Sequence, residues 1–361
     1  MDDRVFPRSN GLVSLRRWLW PLSFFYGALV WLRNALYNAG FFSSYRAPRP
    51  VIAIGNLSTG GTGKAPLAGY LIRILLENGP SPAYLSRGYG RQSRGYLRVL
   101  PQTMDARAAG DEALQVASRF PQVPVAVSED RRVGIRRLAE EADPQIFVLD
   151  DAFQHRKVAR DLDVVVIDAH RLPLKDRLLP AGNLREPVRN LKRADLLIIN
   201  KVRDEADIAH IEQQLAFLGL PMAFCRPEPA GLMHFSGKPF VRPPQPCAVL
   251  FSGIGNNASF HQTVEDMGIA VGEAYTFRDH HPFSDRDLQR IIDRHFHHST
   301  SSPKLGASFL LTTEKDYFRM KNLPWLERFS DYPLTYLPIH LVWLKGEPII
   351  GDLLRPWTHP A

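Results

Sequence analysis

Short apolar runs alternate with amphipathic stretches along residues 45–226. The apolar runs, rich in β-branched residues, are Val51–Ile54, Val123–Val127, Ile146–Leu149, Val164–Ile167 and Leu196–Ile199. Stretches with helical periodicity lie between several of them, at Leu67–Leu76, Glu112–Phe120 and Arg131–Glu141. A strand that is apolar throughout is typical of a parallel sheet covered by helices on both faces. The pattern therefore predicts an α/β domain with a mainly parallel sheet at residues 45–226.

A dense group of prolines follows this predicted domain. Six prolines fall between Arg226 and Cys247, and proline at this density breaks helices and central strands. We predict an inter-domain linker at residues 227–247 and a smaller α/β domain at residues 248–361. The second domain has predicted strands near Ala248–Phe251 and Phe309–Thr312, and its polar segment at residues 295–302 is a predicted loop.

An uncharged, aromatic-rich segment, Trp18–Leu32, lies near the N-terminus between Arg16–Arg17 and Arg33. Its 15 residues would span only ~22 Å as a helix, short of the ~30 Å hydrocarbon core of a bilayer. Aromatic rings with flanking arginines favour the headgroup level. We therefore predict a membrane-associating helix within residues 1–44, lying at the surface. A signal peptide and a helix packed against the main domain are the alternatives.

Composition and charge exclude several classes of protein. The chain has 361 residues, of which 45% are hydrophobic and 23% charged, so it contains enough apolar material for globular cores. Its two cysteines, Cys225 and Cys247, exclude a disulfide framework and favour a reducing compartment. The net charge of +8 suits an acidic partner such as nucleic acid, an anionic membrane or a phosphorylated small molecule. No nucleic-acid-binding motif or basic stripe interleaved with aromatic residues is present, so we expect no nucleic acid.

The stretch from Val51 to Lys64 runs from the first predicted strand into a glycine-rich segment. Gly60, Gly61 and Gly63 precede Lys64, and a helical pattern follows directly. Such glycines let backbone N–H groups surround phosphate oxygens, and the lysine reaches the β- and γ-phosphates. The pattern predicts a P-loop, with a glycine-rich turn that binds no ligand as the alternative. The predicted phosphate-binding residues are Ser58, Thr59, Gly60, Gly61, Thr62, Gly63, Lys64 and Ala65.

The predicted loop departs from G-x-x-x-x-G-K-[ST] at two positions. Ser58 stands at the first glycine, and Ala65 stands where a hydroxyl residue normally follows the lysine. Alanine cannot bind Mg²⁺, so we expect the metal to depend on carboxylates or water. Asn200 and Lys201 follow a predicted strand, but a complete N-K-x-D sequence is missing. Guanine selectivity is therefore unsupported, and ATP is the expected nucleotide.

Two consecutive acids, Asp150 and Asp151, end the apolar run Ile146–Leu149. A carboxylate at the end of a strand beside the P-loop holds Mg²⁺ in P-loop enzymes, directly or through water. We predict this role for Asp150 or Asp151, with a helix cap or turn as the alternative.

Several short motifs, in their order and spacing, resemble those of the tetraacyldisaccharide 4′-kinases, also called lipid A 4′-kinases. The motifs are Gly55–Pro66, Ser86–Gly90, Gly110–Glu112, Leu149–His155, Leu179–Pro187, Phe251–Gly255, Asp279–His280 and Thr313–Asp316. The resemblance implies a P-loop NTPase-type α/β domain, a smaller C-terminal α/β domain and an N-terminal interfacial helix. It also implies an enzyme on the cytoplasmic face of the inner membrane, peripheral or monotopic through that helix.

The resemblance implies ATP- and Mg²⁺-dependent phosphorylation of the 4′-hydroxyl of a tetraacyldisaccharide 1-phosphate. Lys64 resembles the phosphate-binding lysine, and Asp111 resembles the acid that activates the hydroxyl, supported by His280. The expected metal residues are Asp150, Asp151 and Glu186, and the expected residues lining the active site are Glu112, Arg131, His155 and Arg185. The chain departs from the family pattern at Ala65, where threonine is usual, and at Ala152, where glycine is usual.

The residues alone leave other interpretations open. Asp111 and Glu112 begin a helical stretch and could act as a helix cap with a first-turn acid, and His280 could be an ordinary loop histidine. The three histidines 295, 297 and 298 have no carboxylate or cysteine at ligand spacing, so we expect surface residues rather than a metal site. A soluble P-loop kinase or ATPase acting on a polar metabolite, or a nucleotide-dependent membrane scaffold, are the competing functions. The sequence makes no prediction of oligomeric state.

Overall fold

A computed structural model describes residues 18–297 and 308–359 of the chain. Arg16, Arg17 and residues 298–302 of the predicted polar loop, His298 among them, therefore lie outside the described residues. The chain divides into two compact units. Unit 1 combines Met1–Lys64, Val148–Arg226 and Trp343–Ala361, and unit 2 combines Ala65–Phe147 and Pro227–Val342.

Strands and helices are interspersed along the described residues. The strands are β1 (Val51–Gly55), β2 (Pro82–Ser86), β3 (Leu97–Arg98), β4 (Val125–Val127), β5 (Ile146–Asp150), β6 (Leu162–Asp168), β7 (Leu196–Asn200), β8 (Met222–Pro229), β9 (Met233–His234), β10 (Cys247–Ser252), β11 (Ala270–Thr276), β12 (Ser308–Thr313), β13 (Leu334–Leu337) and β14 (Ile339–Lys345). The α-helices are α1 (Trp20–Asn38), α2 (Lys64–Glu77), α3 (Ala106–Ala109), α4 (Asp111–Arg119), α5 (Arg131–Ala142), α6 (Glu205–Leu215), α7 (Asn257–Asp266), α8 (Asp285–Ile292), α9 (Glu314–Met320) and α10 (Glu347–Thr358).

The central strands of unit 1 are buried along their whole length. Strands β8, β7, β6 and β1 pair in that order, each pair parallel, and β5 lies next to β1. Every residue of β1, β5, β6 and β7 is buried, which confirms the α/β prediction made from the apolar runs. Because the strands are parallel, the residues that follow β1, β6 and β7 emerge at one edge of the sheet.

Unit 2 joins two segments that are distant in the sequence. Strands β2 and β4 are parallel, with β3 antiparallel to β4. A second sheet has the order β11-β10-β12-β13-β9 and is parallel except for β9. The predicted strands near residues 248–251 and 309–312 are thus confirmed as parts of β10 and β12. Helix α9 packs against α4, and the Nδ2 atom of Asn322 donates to the carbonyl of Met104 at 2.9 Å.

Helix α1 packs one face on unit 1 and leaves the other exposed. The hydroxyl of Ser23 donates to the carbonyl of Leu178 at 2.9 Å, and that of Tyr26 donates to the carbonyl of Arg185 at 2.8 Å. The exposed apolar side chains on or beside the helix are Trp18, Leu19, Trp20, Leu22, Phe24, Phe25, Leu29, Trp31 and Leu32. Across the described residues, we find no helix with the length and apolar character needed to cross a membrane.

Candidate functional site

The glycine-rich segment forms a loop between β1 and the start of α2 at Lys64. Gly60 has φ +112° and Gly63 has φ +92°, values that side chains with a Cβ rarely adopt. A Cβ on Gly63 would also clash with the side-chain amide of Asn200, whereas a Cβ on Gly60 or Gly61 would meet no atom within 4 Å. The loop therefore packs tightly at Gly63 and leaves open space over Gly60 and Gly61, where a phosphate group could approach the backbone.

Side chains from the ends of β1 and β7 hold this loop in place. The Nδ2 atom of the buried Asn56 donates to the carbonyl of Ser58 at 2.7 Å, and that of Asn200 donates to the carbonyl of Thr62 at 3.0 Å. Lys201 donates to the carbonyl of Gly61 at 3.1 Å while its Nζ pairs with Asp168 at 2.6 Å. The Asn200–Lys201 pair, considered in the sequence as part of a base-reading motif, thus supports the loop.

Lys64, the predicted phosphate-binding lysine, belongs to a cluster of three charged side chains. The Nζ atom of Lys64 lies 3.4 Å from Asp151, and the guanidinium of Arg185 contacts both oxygens of the same carboxylate at 2.9 and 2.8 Å. Burial acts to raise the pKa of Asp151, but Lys64 and Arg185 outweigh it and hold that pKa below its usual range. Two cations share one carboxylate, so this cluster carries net positive charge beside the loop.

The turn after β5 links the predicted acids to the loop. Asp150 ends β5 and is only 2% exposed, and Asp151 follows it in a left-handed conformation with φ +48°. The amide of Ala152 donates to the carbonyl of Ile54 at 3.0 Å. His155 closes this turn, its amide donating to the carbonyl of Ala152 at 2.8 Å. The structure thus brings Lys64, Asp151 and Arg185 into direct contact, and Asp150 and His155 lie on either side of Asp151 in the same turn.

Glu186 follows Arg185 but is directed toward helix α1. Its carboxylate is fully buried and accepts hydrogen bonds from four side chains. The four donors are Arg33 at 2.7 Å, Asn34 at 3.2 Å, Asn190 at 2.7 Å and Arg193 at 2.7 Å. Burial acts to raise the pKa of Glu186, but Arg193 and the other donors hold it below its usual range. In this structure Glu186 ties α1 to the body of unit 1.

A second cluster, in unit 2, is centred on Asp111. Gly110 is the N-cap of α4 and Asp111 its first residue. The Oδ2 atom of Asp111 lies 2.8 Å from Nδ1 of His280 and 2.6 Å from Nε of Arg319. Burial acts to raise the pKa of Asp111, but His280 and Arg319 outweigh it, so the pKa is lowered. The carboxylate is therefore held in its ionised form beside an imidazole that is 35% exposed.

Arg319 extends this cluster into the interior of unit 2. Its side chain is only 4% exposed and comes from α9. Besides Asp111, its guanidinium contacts the carbonyl of Gly253 at 2.6 Å and Asp316 at 2.5 Å. Asp316 is itself fully buried and accepts from the hydroxyl of Thr313 at 2.7 Å. Arg319 was not among the residues expected from the sequence, although it lies one helical turn after the Thr313–Asp316 motif.

Glu112 and Arg131, two residues expected to line the active site, lie at the beginning of helices in unit 2. Glu112 is the second residue of α4. Arg131 begins α5, is 2% exposed, and donates through NH1 to the carbonyl of Ser128 at 2.6 Å.

Of the predicted surface histidines, His295 is 19% exposed and lies 3.3 Å from Glu273. Within residues 18–297 and 308–359, no group of three or more His, Cys, Asp or Glu side chains is arranged to hold a metal.

Comparisons with known proteins show similarity over most of the chain. The family model described as tetraacyldisaccharide-1-P 4′-kinase (LpxK) matches residues 15–356. A tetraacyldisaccharide 4′-kinase from Chlorobaculum parvum is 40% identical over 334 residues, which cover 90% of this chain and 90% of that protein. Another from Chlorobium limicola is 38% identical over 355 residues, covering 96% and 98% of the two chains.

A solved structure extends the likeness to the fold. The crystal structure of LpxK from Aquifex aeolicus in complex with ATP superposes with a TM-score of 0.76 at 32% sequence identity. The match covers 96% of this chain and 100% of that one. Sequence and fold therefore agree over nearly the whole length, and the chain belongs to the tetraacyldisaccharide-1-P 4′-kinase family.

Proposed function

We propose that this protein transfers the γ-phosphoryl group of ATP to the 4′-hydroxyl of a tetraacyldisaccharide 1-phosphate. The observation that carries the proposal is the Asp111 carboxylate, held between His280 and Arg319 in a chain that also has a phosphate loop ending at Lys64. A carboxylate with a lowered pKa is ionised at neutral pH and can accept the proton of the hydroxyl. Transfer to an alcohol needs such a base together with groups that neutralise the phosphates.

The loop residues supply the phosphate-binding part of this reaction. Backbone N–H groups at Gly60, Gly61 and Gly63 and the N-terminus of α2 would face the phosphate oxygens. Lys64 and Arg185 would neutralise the charge that shifts from the γ-phosphate to the leaving diphosphate. Because Asp151 holds both cations, their positions are set before the nucleotide binds.

His280 supports Asp111 as the proton acceptor. A short distance of 2.8 Å between Nδ1 and Oδ2 indicates that the ring nitrogen carries a proton and donates it to the carboxylate. This contact keeps one oxygen of Asp111 oriented, and the imidazole can share the proton that Asp111 accepts. Tyr89 lies against the His280 ring with centroids 5.6 Å apart, which limits rotation of the imidazole.

Asp150 and Asp151 fit the requirements of Mg²⁺. The ion prefers oxygen donors and is usually held by one or two carboxylates together with substrate phosphates, so a third protein carboxylate is not needed. At Glu186 the ion would have to displace four hydrogen-bond donors. We therefore assign Mg²⁺ to Asp150, next to Asp151, whose two oxygens are held by Lys64 and Arg185. When bound, it would neutralise charge on the phosphate oxygens of ATP.

We further propose that α1 docks the enzyme on the cytoplasmic face of the inner membrane. The helix exposes 72% of Phe24, 62% of Trp20 and 56% of Trp31. Soluble proteins rarely expose so many large apolar side chains in one place, and such a surface marks a membrane or protein contact. Aromatic residues on an amphipathic helix favour the bilayer interface, where the lipid substrate resides.

The direct test is phosphate transfer from labelled ATP to the tetraacyldisaccharide 1-phosphate in detergent with Mg²⁺. Wild-type protein is expected to transfer phosphate, and Asp111→Asn to lower kcat by about 10²–10⁴-fold because the base is lost. ATP binding by Asp111→Asn should stay at the wild-type level. Transfer at equal rates by the variant and the wild type, or none by folded wild-type protein, would refute the proposal.

A further inference from the structure

Three residues of the Thr313–Asp316 motif, at the start of helix α9, make contacts that stabilise unit 2. The side chain of Thr313 caps α9 by accepting from the amide of Asp316 at 3.1 Å. Glu314 lies 3.8 Å from an arginine of α4, and Asp316 is fully buried. The fourth residue, Lys315, is 29% exposed and contacts groups outside the helix. Its role therefore differs from that of the other three.

The ammonium group of Lys315 lies beside His280, at the ring nitrogen that does not contact Asp111. The Nδ1 atom of the ring lies 2.8 Å from Asp111, whereas Nε2 lies 3.5 Å from Nζ of Lys315. The same Nζ is 3.6 Å from Oδ1 of Asp279, a carboxylate that is 46% exposed. Lys315 and the carboxylate proposed to accept the proton therefore contact the two nitrogens of one imidazole.

Lys315 is held more loosely than the other cation of this cluster. Charge-assisted hydrogen bonds are usually about 2.7–2.9 Å long, and both distances from Nζ of Lys315 exceed that range. Arg319, by contrast, is 4% exposed and approaches Asp111 to 2.6 Å. A lysine carries its charge at the end of a flexible four-carbon stem. Lys315 can therefore exchange its present contacts for a stronger anion nearby.

The proposed reaction needs a cation beside Asp111. The γ-phosphorus must come within about 3–3.5 Å of the attacking oxygen, and the base must lie about 2.6–3.2 Å from that same oxygen. The phosphoryl group therefore arrives next to the ionised Asp111, and their negative charges repel each other. Arg319 cannot fully offset this repulsion, because it already pairs with Asp111 and Asp316. The loosely held ammonium of Lys315 can supply the missing positive charge.

We propose that Lys315 is a second catalytic lysine, which binds oxygens of the γ-phosphoryl group during its transfer to the 4′-hydroxyl. The proposal rests on the proposed function, from which it takes the acceptor and the base. In the reaction the bond between the γ-phosphorus and the leaving ADP oxygen breaks, the bond to the 4′-oxygen forms, and the hydroxyl proton passes to Asp111. Lys315 forms no covalent bond, and its ammonium offsets the charge of the transferred group. Before that group arrives, Asp279 keeps Lys315 near His280.

The test compares Lys315→Met with Lys321→Met, two variants that each lose one positive charge and keep a long side chain. Lys321 is the C-cap of the same helix, is exposed, and lies over the ring of Phe318. Single-turnover transfer to the tetraacyldisaccharide 1-phosphate is measured in detergent with saturating ATP and Mg²⁺. The Kd is measured for ATP and, with lipid present, for ADP with aluminium fluoride, which imitates the phosphoryl group in transfer.

Lys315→Met is expected to lower the rate of transfer by about 10²–10³-fold, as is typical when one group that stabilises transition-state charge is lost. Its Kd for ATP should match that of the wild type, whereas its Kd for ADP with aluminium fluoride should rise strongly. Lys315→Arg should recover part of the rate, and Lys321→Met should match the wild type in every measurement. An unchanged rate, or equal weakening of ATP and analogue binding, overturns the proposal.

A positioning role through His280 is the alternative, and a double-mutant cycle separates the two roles. If Lys315 contacts the phosphoryl group, the rate losses of Lys315→Met and His280→Gln multiply. If Lys315 only orients His280, the double variant is no slower than His280→Gln alone, and the proposal fails. Wild-type protein that transfers no phosphate to the lipid refutes the proposed function and this role with it. Active wild type beside an equally active Lys315→Met overturns the role of Lys315 alone.

Discussion

Asp111 accepts hydrogen bonds from two cationic or ionisable groups through one carboxylate oxygen. His280 reaches that oxygen from the loop before α8, and Arg319 reaches it from α9. Since Arg319 is buried and also held by Asp316 and the carbonyl of Gly253, it cannot move away without leaving polar groups unpaired. Arg319 is therefore a positioning residue that fixes Asp111 and keeps it ionised.

Replacing Arg319 should change the pH dependence of the reaction. The guanidinium lowers the pKa of Asp111, so its loss should raise that pKa and shift the acid limb of kcat/KM to higher pH. We expect Arg319→Met to lower kcat by about 10–100-fold, because a displaced base is a poor proton acceptor, and Arg319→Lys to restore part of it. The measurement is the pH profile of kcat/KM for wild type and both variants. A lower rate with an unchanged acid limb would contradict the expected effect of Arg319 on the pKa of Asp111.

At the scale of an element, the conformation of the phosphate loop depends on the close packing of Gly63 against the side chain of Asn200. Gly63 combines a positive φ with direct packing on Asn200, whereas Gly61 has no positive φ and a Cβ added to it would meet no atom within 4 Å. We expect Gly63→Ala to destabilise the fold by about 1–3 kcal/mol and to weaken ATP binding, because the loop must shift. Gly61→Ala is the control and should keep the wild-type Tm. Denaturant unfolding and nucleotide titration measure the two effects, and equal Tm values for both variants would contradict this account.

A second prediction at the scale of an element concerns the anchoring of helix α1 by Glu186. Breaking a buried ion pair from one side typically costs about 3–5 kcal/mol, since the remaining charges are left unpaired. Glu186→Ala should therefore loosen α1 and increase amide hydrogen exchange across Trp20–Asn38. The folded-state pKa of Glu186 is lowered, so its stabilising effect is present above the usual carboxylate range and is lost as the pH falls through the folded-state value.

The same variant separates two roles of Glu186. If Glu186 binds Mg²⁺, as expected from the family resemblance, Glu186→Ala should raise the Mg²⁺ concentration needed for activity while α1 stays protected. If it anchors α1, protection of α1 is lost and the Mg²⁺ requirement stays near that of the wild type. Hydrogen exchange by mass spectrometry and a Mg²⁺ titration of activity distinguish these results.

The elements that the sequence predicts well are those whose burial leaves a local signature. Strands β1, β5 and β7 are apolar on both faces, so their residue types alone indicate a parallel sheet. Strand β11 was missed because its residues alternate between exposed and half-buried positions and include Gly272. Local patterns thus reveal β1, β5 and β7, but the interior strand β2 was also missed, although all five of its residues are buried.

The residues of the candidate site also fall into two groups. Some can be predicted from their spacing in the sequence, and others are brought together only by the fold. The loop glycines and Lys64 are nearly consecutive, so their spacing predicts a phosphate site directly. By contrast, Arg319 lies 208 positions from Asp111 along the chain, and no local pattern connects them. Asn200 supports the loop from a strand 138 residues away. These residues act through tertiary contacts, which a single sequence does not encode as a readable spacing.

At the scale of the whole molecule, the net charge of +8 and the exposed surface of α1 favour the same partner. Anionic headgroups attract basic side chains, and aromatic side chains partition into the interface. Binding to vesicles that contain anionic lipid should therefore weaken at high salt, yet persist in part through the apolar contacts.

The contribution of α1 can be measured against another exposed aromatic residue elsewhere in unit 1. Phe24 is 72% exposed on α1, and Phe217 is 55% exposed outside it. Phe24→Ser should lower the partition coefficient into anionic vesicles by about fivefold, since part of the transfer free energy of one aromatic side chain is lost. Phe217→Ser should leave partitioning unchanged, and both variants should phosphorylate lipid in detergent micelles at the wild-type rate. Equal losses for the two variants would show that general surface hydrophobicity, rather than α1, brings the enzyme to its lipid substrate.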